Sequence, residues 1–331
     1  MLSSLPTRSE CAGFGQPAAA MDVDNKADCE TVSQHQTSVS AGPPLVSVVM
    51  SVLNGAATVG AAVRSIQLQT LQDWELIVID NGSTDRSGAI VSEFNDPRIR
   101  LIREPPGVGF ASRLNQAIGL CRGEFIARMD ADDVCFPERL ERQVARLQQD
   151  PKLDLLGCGA VVFSDDATLA GELPVGLTHQ EIIARPFNGF PFPHPTWCGR
   201  AAWFRKNPYD SKLWKAEDQD LLLRTFRKST FGSLQAVLFG YRQNQLDLGK
   251  LLPGRRTFIG SLWRYGRHSG ELLPALGGIA THIAKSAVDI GTLNLGLNRS
   301  AQLYRLKPIS PSTTLAWQDL QKRLPPVELT R

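Results

Sequence analysis

Between residues 45 and 165, five short and nearly continuous apolar runs alternate with amphipathic stretches, and few folds accept that pattern. The runs are "LVSVVMSVLNG" (45–55), "WELIVIDNGSTD" (74–85), "RIRLIRE" (98–104), "EFIARMDADD" (124–133) and "LDLLGCGAVVFSD" (153–165). Apolar runs of this length without strict alternation read as strands buried on both faces. Between the first two, Val59, Val63 and Ile66 recur at helical spacing. "SGAIVSEFN", "FASRLNQAIGLC" (with Gly123 as its stop) and "FPERLERQVARLQQD" (136–150, with Pro137 in its first turn) supply the other helices. Strand–helix alternation of this regularity predicts an α/β fold with a doubly wound, mostly parallel sheet flanked by helices. Such sheets bind ligands at the carboxyl ends of their strands. Polar residues collect there: Ser51 and Asn54 after the first run, Asp80 and Asn81 after the second, and Asp130 to Asp133 after the fourth.

The rest of the chain divides around this core. Residues 1–44, rich in Ser, Ala, Gln and Pro, predict a disordered N-terminal tail. Residues 45–165 form the α/β half that meets the ligand. Residues 166–245 are less regular, with Pro and aromatics clustered in "RPFNGFPFPHPTW" and a helix expected over 211–229. Residues 246–331 read as a basic, helical C-terminal region. The net charge of +3 does not argue for nucleic acid, but its distribution is uneven. From Arg242 onward thirteen Lys/Arg face five Asp/Glu, a surface suited to anionic lipid or an anionic acceptor. The start of the chain lacks the basic-then-apolar pattern of a signal peptide. The most apolar stretch, 272–297, is interrupted by His282, Lys285 and Asp289, and reads as an amphipathic helix pair rather than a membrane span. Six cysteines are scattered without a CxxC pair, and Cys121 and Cys158 lie in apolar segments as buried free thiols. A reducing, cytoplasmic setting follows, with peripheral contact at the cytoplasmic membrane face through the basic region.

Four features carry chemistry, and each has a plainer reading. Carboxylates at Asp130, Asp132 and Asp133 offer oxygen ligands for Mn²⁺ or Mg²⁺, or cap the following helix. Asp80-Asn81 can read a base or ribose by hydrogen bonds, or simply turn the chain. Glu217-Asp218 can hold a general base, or complement the helix dipole. His194, between two prolines, can bond a sugar or pack against aromatics.

Taken in this order, the blocks "VSVVMSVLN", "SIQLQTLQDWELIVIDNGSTD", "LNQAIGLCRGEFIARMDADDVCFPERLERQV" and "HPTW" followed by "EDQDLLLR" resemble a family 2 glycosyltransferase of the GT-A fold, over about residues 45–243. The resemblance implies a metal-dependent, inverting transfer from a nucleotide-diphosphate sugar, a UDP-sugar, to a hydroxyl of a glycan or lipid-linked acceptor, as in cell-surface polysaccharide synthesis. It places Ser51 and Asn54 by the nucleotide and Asp80 and Asn81 around the base. Asp130 then meets the ribose and, with Asp132 and Asp133, the metal. Asp218 becomes the catalytic base, with Glu217 beside it. Two departures stand out. Arg113 is separated from Asn115 by Leu114 where the family has adjacent Arg and Asn, which weakens its assignment to the donor, and Asn244 stands where a His often follows "YR". Two other readings remain. A sugar nucleotidyltransferase would need a basic loop after the first strand, and none precedes Arg64. A degenerate glycan- or partner-binding module would not need the intact acidic pairs.

Overall fold

The computed structural model describes residues 42–243, 248–294 and 306–325. The expected tail lies, up to residue 41, outside the described residues, as does Asn244. All five predicted strands form: β1 (Val46–Val52), β2 (Trp74–Asp80), β3 (Ile99–Arg103), β4 (Phe125–Asp130) and β6 (Leu155–Phe163). The predicted helices between them are α1 (Val59–Gln67), α2 (Ser87–Glu93), α3 (Phe110–Leu120) and α4 (Arg139–Gln149).

Four further strands complete the sheet: β5 (Val134–Cys135), β7 (Leu169–Glu172), β8 (Cys198–Arg200) and β9 (Phe231–Arg242). The order is β3-β2-β1-β4-β8-β6-β9-β5, with β7 pairing the C-terminal end of β6 off this path. β3, β2, β1 and β4 run parallel, and β6 runs parallel to β9. β8 is antiparallel to both of its neighbours, and β5 and β7 are antiparallel to theirs. The sheet is therefore mostly parallel, with short antiparallel strands in the half that departs from regular alternation.

Period-two placement explains the apolar runs. Val46, Val48, Met50 and Val52 pack with Val63 and Ile66 of α1 and Leu140, Val144 and Leu147 of α4. Val49 faces the other way, joining Ile77 and Ile79 of β2, Leu114 and Ala117 of α3, and Leu221 and Leu222 beyond. Covering both faces leaves no polar side to alternate with. Cys121 and Cys158 are buried free thiols, as are Cys135 and Cys198.

In the second half the helix expected over 211–229 is shorter, α7 (Glu217–Thr225). Ala216 adopts a left-handed φ of 55° immediately before it, which no helix interior accepts. Two small helices, α5 (His179–Ile182) and α6 (Ala201–Lys206), flank the sheet. The C-terminal region is helical: α8 (Leu248–Ser269), α9 (Leu272–Asn294) and α10 (Pro311–Arg323). Over its described residues, 272–294, the stretch read as a helix pair is one helix, α9, packed on α8. His282 and Asp289 turn inward, so two of the three breaks in apolarity lie on the buried side of that packing, while Lys285 is exposed. No helix among the described residues is long and apolar enough to cross a membrane. α10 docks on the β6 side of the sheet: Trp317 lies tilted at 49° against Phe163, its ring centroid 4.6 Å away, and its indole N–H donates to the Ala167 carbonyl (3.0 Å).

Candidate active site

The first two strand ends are tied into one rim. Ser51 lies beside Ile79 on one neighbour and beside Asp130 on the other. After β1 the chain turns at Asn54, with a left-handed φ of 52°. Its side-chain oxygen accepts the Thr84 N–H (2.8 Å), its own N–H donates to the Ser83 hydroxyl, and the Ala56 N–H donates to Asp85 (3.0 Å). Asp80, almost fully buried, accepts the Ser83 N–H (2.9 Å). Gly82 then needs its freedom twice over: its φ is 80°, and a Cβ there would lie 2.5 Å from the Pro106 nitrogen.

Asn81 is fixed at both ends of its amide. Its NH₂ donates to the Val108 carbonyl (2.9 Å), and its oxygen accepts Arg113 Nε (2.7 Å). The rest of the Arg113 guanidinium binds Glu104, Gln116 and the Pro105 carbonyl. Arg113 therefore holds the Asn81 turn and the 104–108 loop from behind.

Asp130, Asp132 and Asp133 follow β4, and one carboxylate oxygen from each lies within 4.8 Å of the others. They are held differently. Asp130 is gripped by both terminal nitrogens of buried Arg128 (Nη1 to Oδ2, 2.6 Å). Asp133 is buried, and its Oδ1 accepts the backbone N–H of Arg242 at the end of β9 (2.7 Å). Its Oδ2 is also buried and has no hydrogen-bond partner. Burial, then the charges of Asp132 and Asp130, push the Asp133 pKa well above the carboxylate range. Asp132 is open to solvent as a residue, yet the protein packed around its carboxylate, and then Asp130, raise its pKa too. Three crowded carboxylates and an orphaned oxygen fit a divalent cation, which satisfies the oxygen and relieves the repulsion.

The second acidic pair stands at the start of α7, where three carboxylates enter the positive end of the helix dipole. Glu217 and Asp218 lie with His194 in one group whose ligand atoms are all within 4.8 Å. Burial first, then the charge of Asp218, lift Glu217 to about 7. Burial also raises Asp218, against hydrogen bonds from Gln219. His194 Nε2 bonds the Tyr209 hydroxyl (2.7 Å) and its ring meets Trp197 edge-on. Burial, aided by Arg128, drives its pKa far down, so this His is neutral.

Several residues not singled out above bring the two acidic groups together. Arg128 pairs with Asp130 while its charge also acts on His194, Glu217 and Asp218. Arg139 of α4, fully buried, donates to the carbonyls of Arg128, Pro195 and Trp197, and Gln143 donates to Thr196. These bonds staple the "HPTW" turn to the strand that carries Asp130. Asn115 of α3 clamps Tyr209 through its backbone N–H and carbonyl. One signal for Arg128 is visible in "FIARMDADD". An Arg inside an apolar strand needs a partner, and Asp130, two residues on, shares its face.

Residues 47–208 match the family model "Glycosyl transferase family 2". The chain is 34% identical over 226 residues to the putative glycosyltransferase EpsE of Bacillus subtilis, spanning 66% of this chain and 78% of that protein. It is 37% identical over 139 residues to the UDP-Glc:alpha-D-GlcNAc-diphosphoundecaprenol beta-1,3-glucosyltransferase WfgD of Escherichia coli, spanning 42% of this chain and 55% of that one. Among solved structures, the mannosyltransferase PcManGT of Pyrobaculum calidifontis, in complex with GDP-Man and Mn²⁺, superposes with a TM-score of 0.52 at 16% identity, covering 86% of this chain and 87% of that one. This likeness shows the same GT-A fold. The chain belongs to glycosyl transferase family 2 and is a glycosyltransferase.

Proposed function

We propose that this glycosyltransferase moves a sugar from a UDP-sugar to a hydroxyl of a glycan or lipid-linked acceptor, with inversion and with Mn²⁺ or Mg²⁺, in cell-surface polysaccharide synthesis. The observation that carries the reading is the pairing of two acidic groups around Arg128: one with an orphaned buried oxygen at Asp133, the other with raised pKa values at Glu217 and Asp218. WfgD, named for a UDP-glucose donor and a diphosphoundecaprenol acceptor, supports the donor and acceptor class. The Mn²⁺ in PcManGT supports the metal.

In this reading the 45–165 half binds the donor. Asp80 and Asn81 face the base from a turn that Arg113 and Gly82 fix. Ser51 and Asn54 shape the rim where the nucleotide rests. Asp130, oriented by Arg128, accepts a hydrogen bond from the ribose. Asp130, Asp132 and Asp133 would hold the divalent cation, which would supply neutralisation of charge on the departing diphosphate.

The 166–245 half binds the acceptor. Asp218 takes the proton from the attacking hydroxyl, and a carboxylate whose pKa is raised is a better base than a free one. Glu217 and neutral His194 stand beside it, their ligand atoms within 4.8 Å of one another and of the Asp218 carboxylate. Direct in-line attack on the anomeric carbon inverts it and needs no covalent enzyme intermediate. The test is nucleotide release over a panel of nucleotide sugars with Mn²⁺ or Mg²⁺, beside Asp132→Ala. The expected result is metal-dependent release from a UDP-sugar, reduced at least ~100-fold in the variant. Release that is equal without metal, or unchanged in the variant, rejects the proposal.

A further inference from the structure

α9 has one side in the protein and one side that, among the described residues, meets no partner. Ala275, Gly278, His282 and Asp289 face inward. Asp289 pairs there with Arg255 of α8, and a Cβ on Gly278 would lie 2.6 Å from the Phe187 carbonyl. The opposite side is apolar along its whole length. Leu273 (82% exposed), Leu276, Ile283 (58%), Val288 (66%) and Ile290 are open to solvent, with small Gly277, Ala280, Ala284 and Ala287 between them. A helix of 23 residues spans about 34 Å. Exposed apolar side chains in such a continuous face mark a docking surface.

Charge says what kind of surface fits it. Residues 248–294 carry six Lys/Arg against two Asp/Glu, and one of those two acids is neutralised inside by Arg255. Arg256, Arg267 and the amphipathic Trp263 are exposed on α8, the helix packed on α9, while Arg264 is paired with Asp220 of α7. An apolar helical face with basic neighbours, too interrupted to span, is what lies in the interface of an anionic bilayer.

The same helix reaches the acceptor side. Lys285 Nζ donates to the Asn188 carbonyl (3.4 Å), the Phe190 N–H donates to Gln219 (2.8 Å), and Gln219 donates to Asp218 (3.1 Å). We propose that α9 docks this chain on an anionic membrane surface through Leu273, Ile283 and Val288, and that its inner side carries the 187–190 loop that borders Asp218. The acceptor pocket then sits at the lipid headgroups, which gives a lipid-linked acceptor its route. This last step rests on the acceptor reading above; the docking itself does not.

The experiment is flotation of the full chain with vesicles of phosphatidylcholine containing phosphatidylglycerol, and with phosphatidylcholine alone. It is run beside Ile283→Glu/Val288→Glu and, as a control on another surface, Leu315→Glu of α10. Circular dichroism and nucleotide release confirm that each variant is folded. Expected are flotation with the anionic vesicles, weakening in high salt, and a loss of at least about tenfold in the double variant but not in the control. No flotation, or flotation that the double variant retains, overturns the proposal. So does a concentration-dependent dimer that the double variant dissociates, because the face then binds a second copy. Normal flotation with no transfer to any lipid-linked acceptor would leave docking standing and reject the acceptor reading alone.

Discussion

Glu217→Gln removes one ionisable group from the buried start of α7 and barely changes its shape. In the folded chain Glu217 is lifted from 4.5 to about 7, by burial and then by Asp218. His194, 3.7 Å away, gives no compensating charge because burial keeps it neutral. A carboxyl group with a raised pKa binds its proton more tightly in the folded state than in the unfolded one. Its contribution is therefore fully favourable below about pH 4.5 and is lost as the pH rises to about 7. At roughly 1.4 kcal/mol per pKa unit, the loss is on the order of 3 kcal/mol. Glutamine keeps the hydrogen-bonding shape and never ionises. Urea unfolding of both proteins between pH 4 and 8, in the presence of a chelator, isolates this group, because the other titrating carboxylates remain in both chains. The stability of the wild type minus that of the variant should fall by about 3 kcal/mol across pH 4.5–7 and stay level above it. A flat difference, or one that rises with pH, would refute the claim that this end of the cleft penalises charge.

Asp218→Asn should lower kcat by at least about 100-fold while nucleotide-sugar affinity changes little, measured by turnover and calorimetric titration. Arg128→Met strips the partner from Asp130 and should cost about 3–5 kcal/mol in chemical unfolding, with weaker donor binding. Trp317→Ala empties the contact between α10 and Phe163 and should cost about 3–5 kcal/mol, with faster hydrogen exchange over 311–323. Stability within 1 kcal/mol of the wild type, on the order of ordinary surface changes, would contradict either packing argument.

How far the sequence leads depends on how local the cause is. β1, β2, β4 and β6 are legible because sheet burial on both faces demands continuous Val, Ile and Leu. β9 is not, although it has twelve residues. "FGSLQAVLFGYR" mixes Gly, Ser and Gln with apolar residues because its middle is only half buried, and its register against β6 shifts around Gly159. A Cβ at Gly159 would meet the Ala236 carbonyl at 2.9 Å, a long-range contact with no local signature. In the candidate site, the carboxylates at 130, 132, 133, 217 and 218 stand out because bare charges at strand and helix ends call for a reason. Their supports do not stand out. Arg139 reads as one more Arg in an amphipathic helix, yet it is fully buried against three backbone carbonyls. Asn115 reads as a helical polar residue, and only the fold reveals its clamp on Tyr209, ninety-four positions later.

The bond from the Arg242 N–H to Asp133 also bears on the order in which this molecule is completed as it is synthesised. The acidic cluster leaves the ribosome with β4, but its deepest carboxylate is held only when the last strand has paired across 109 residues of chain. Closing so distant a contact is slow relative to helix formation, so the acidic corner is completed after the sheet around β1 has formed. A nascent chain stopped before β9 would carry the rim at the ends of β1 and β2 without the bond that fixes Asp133.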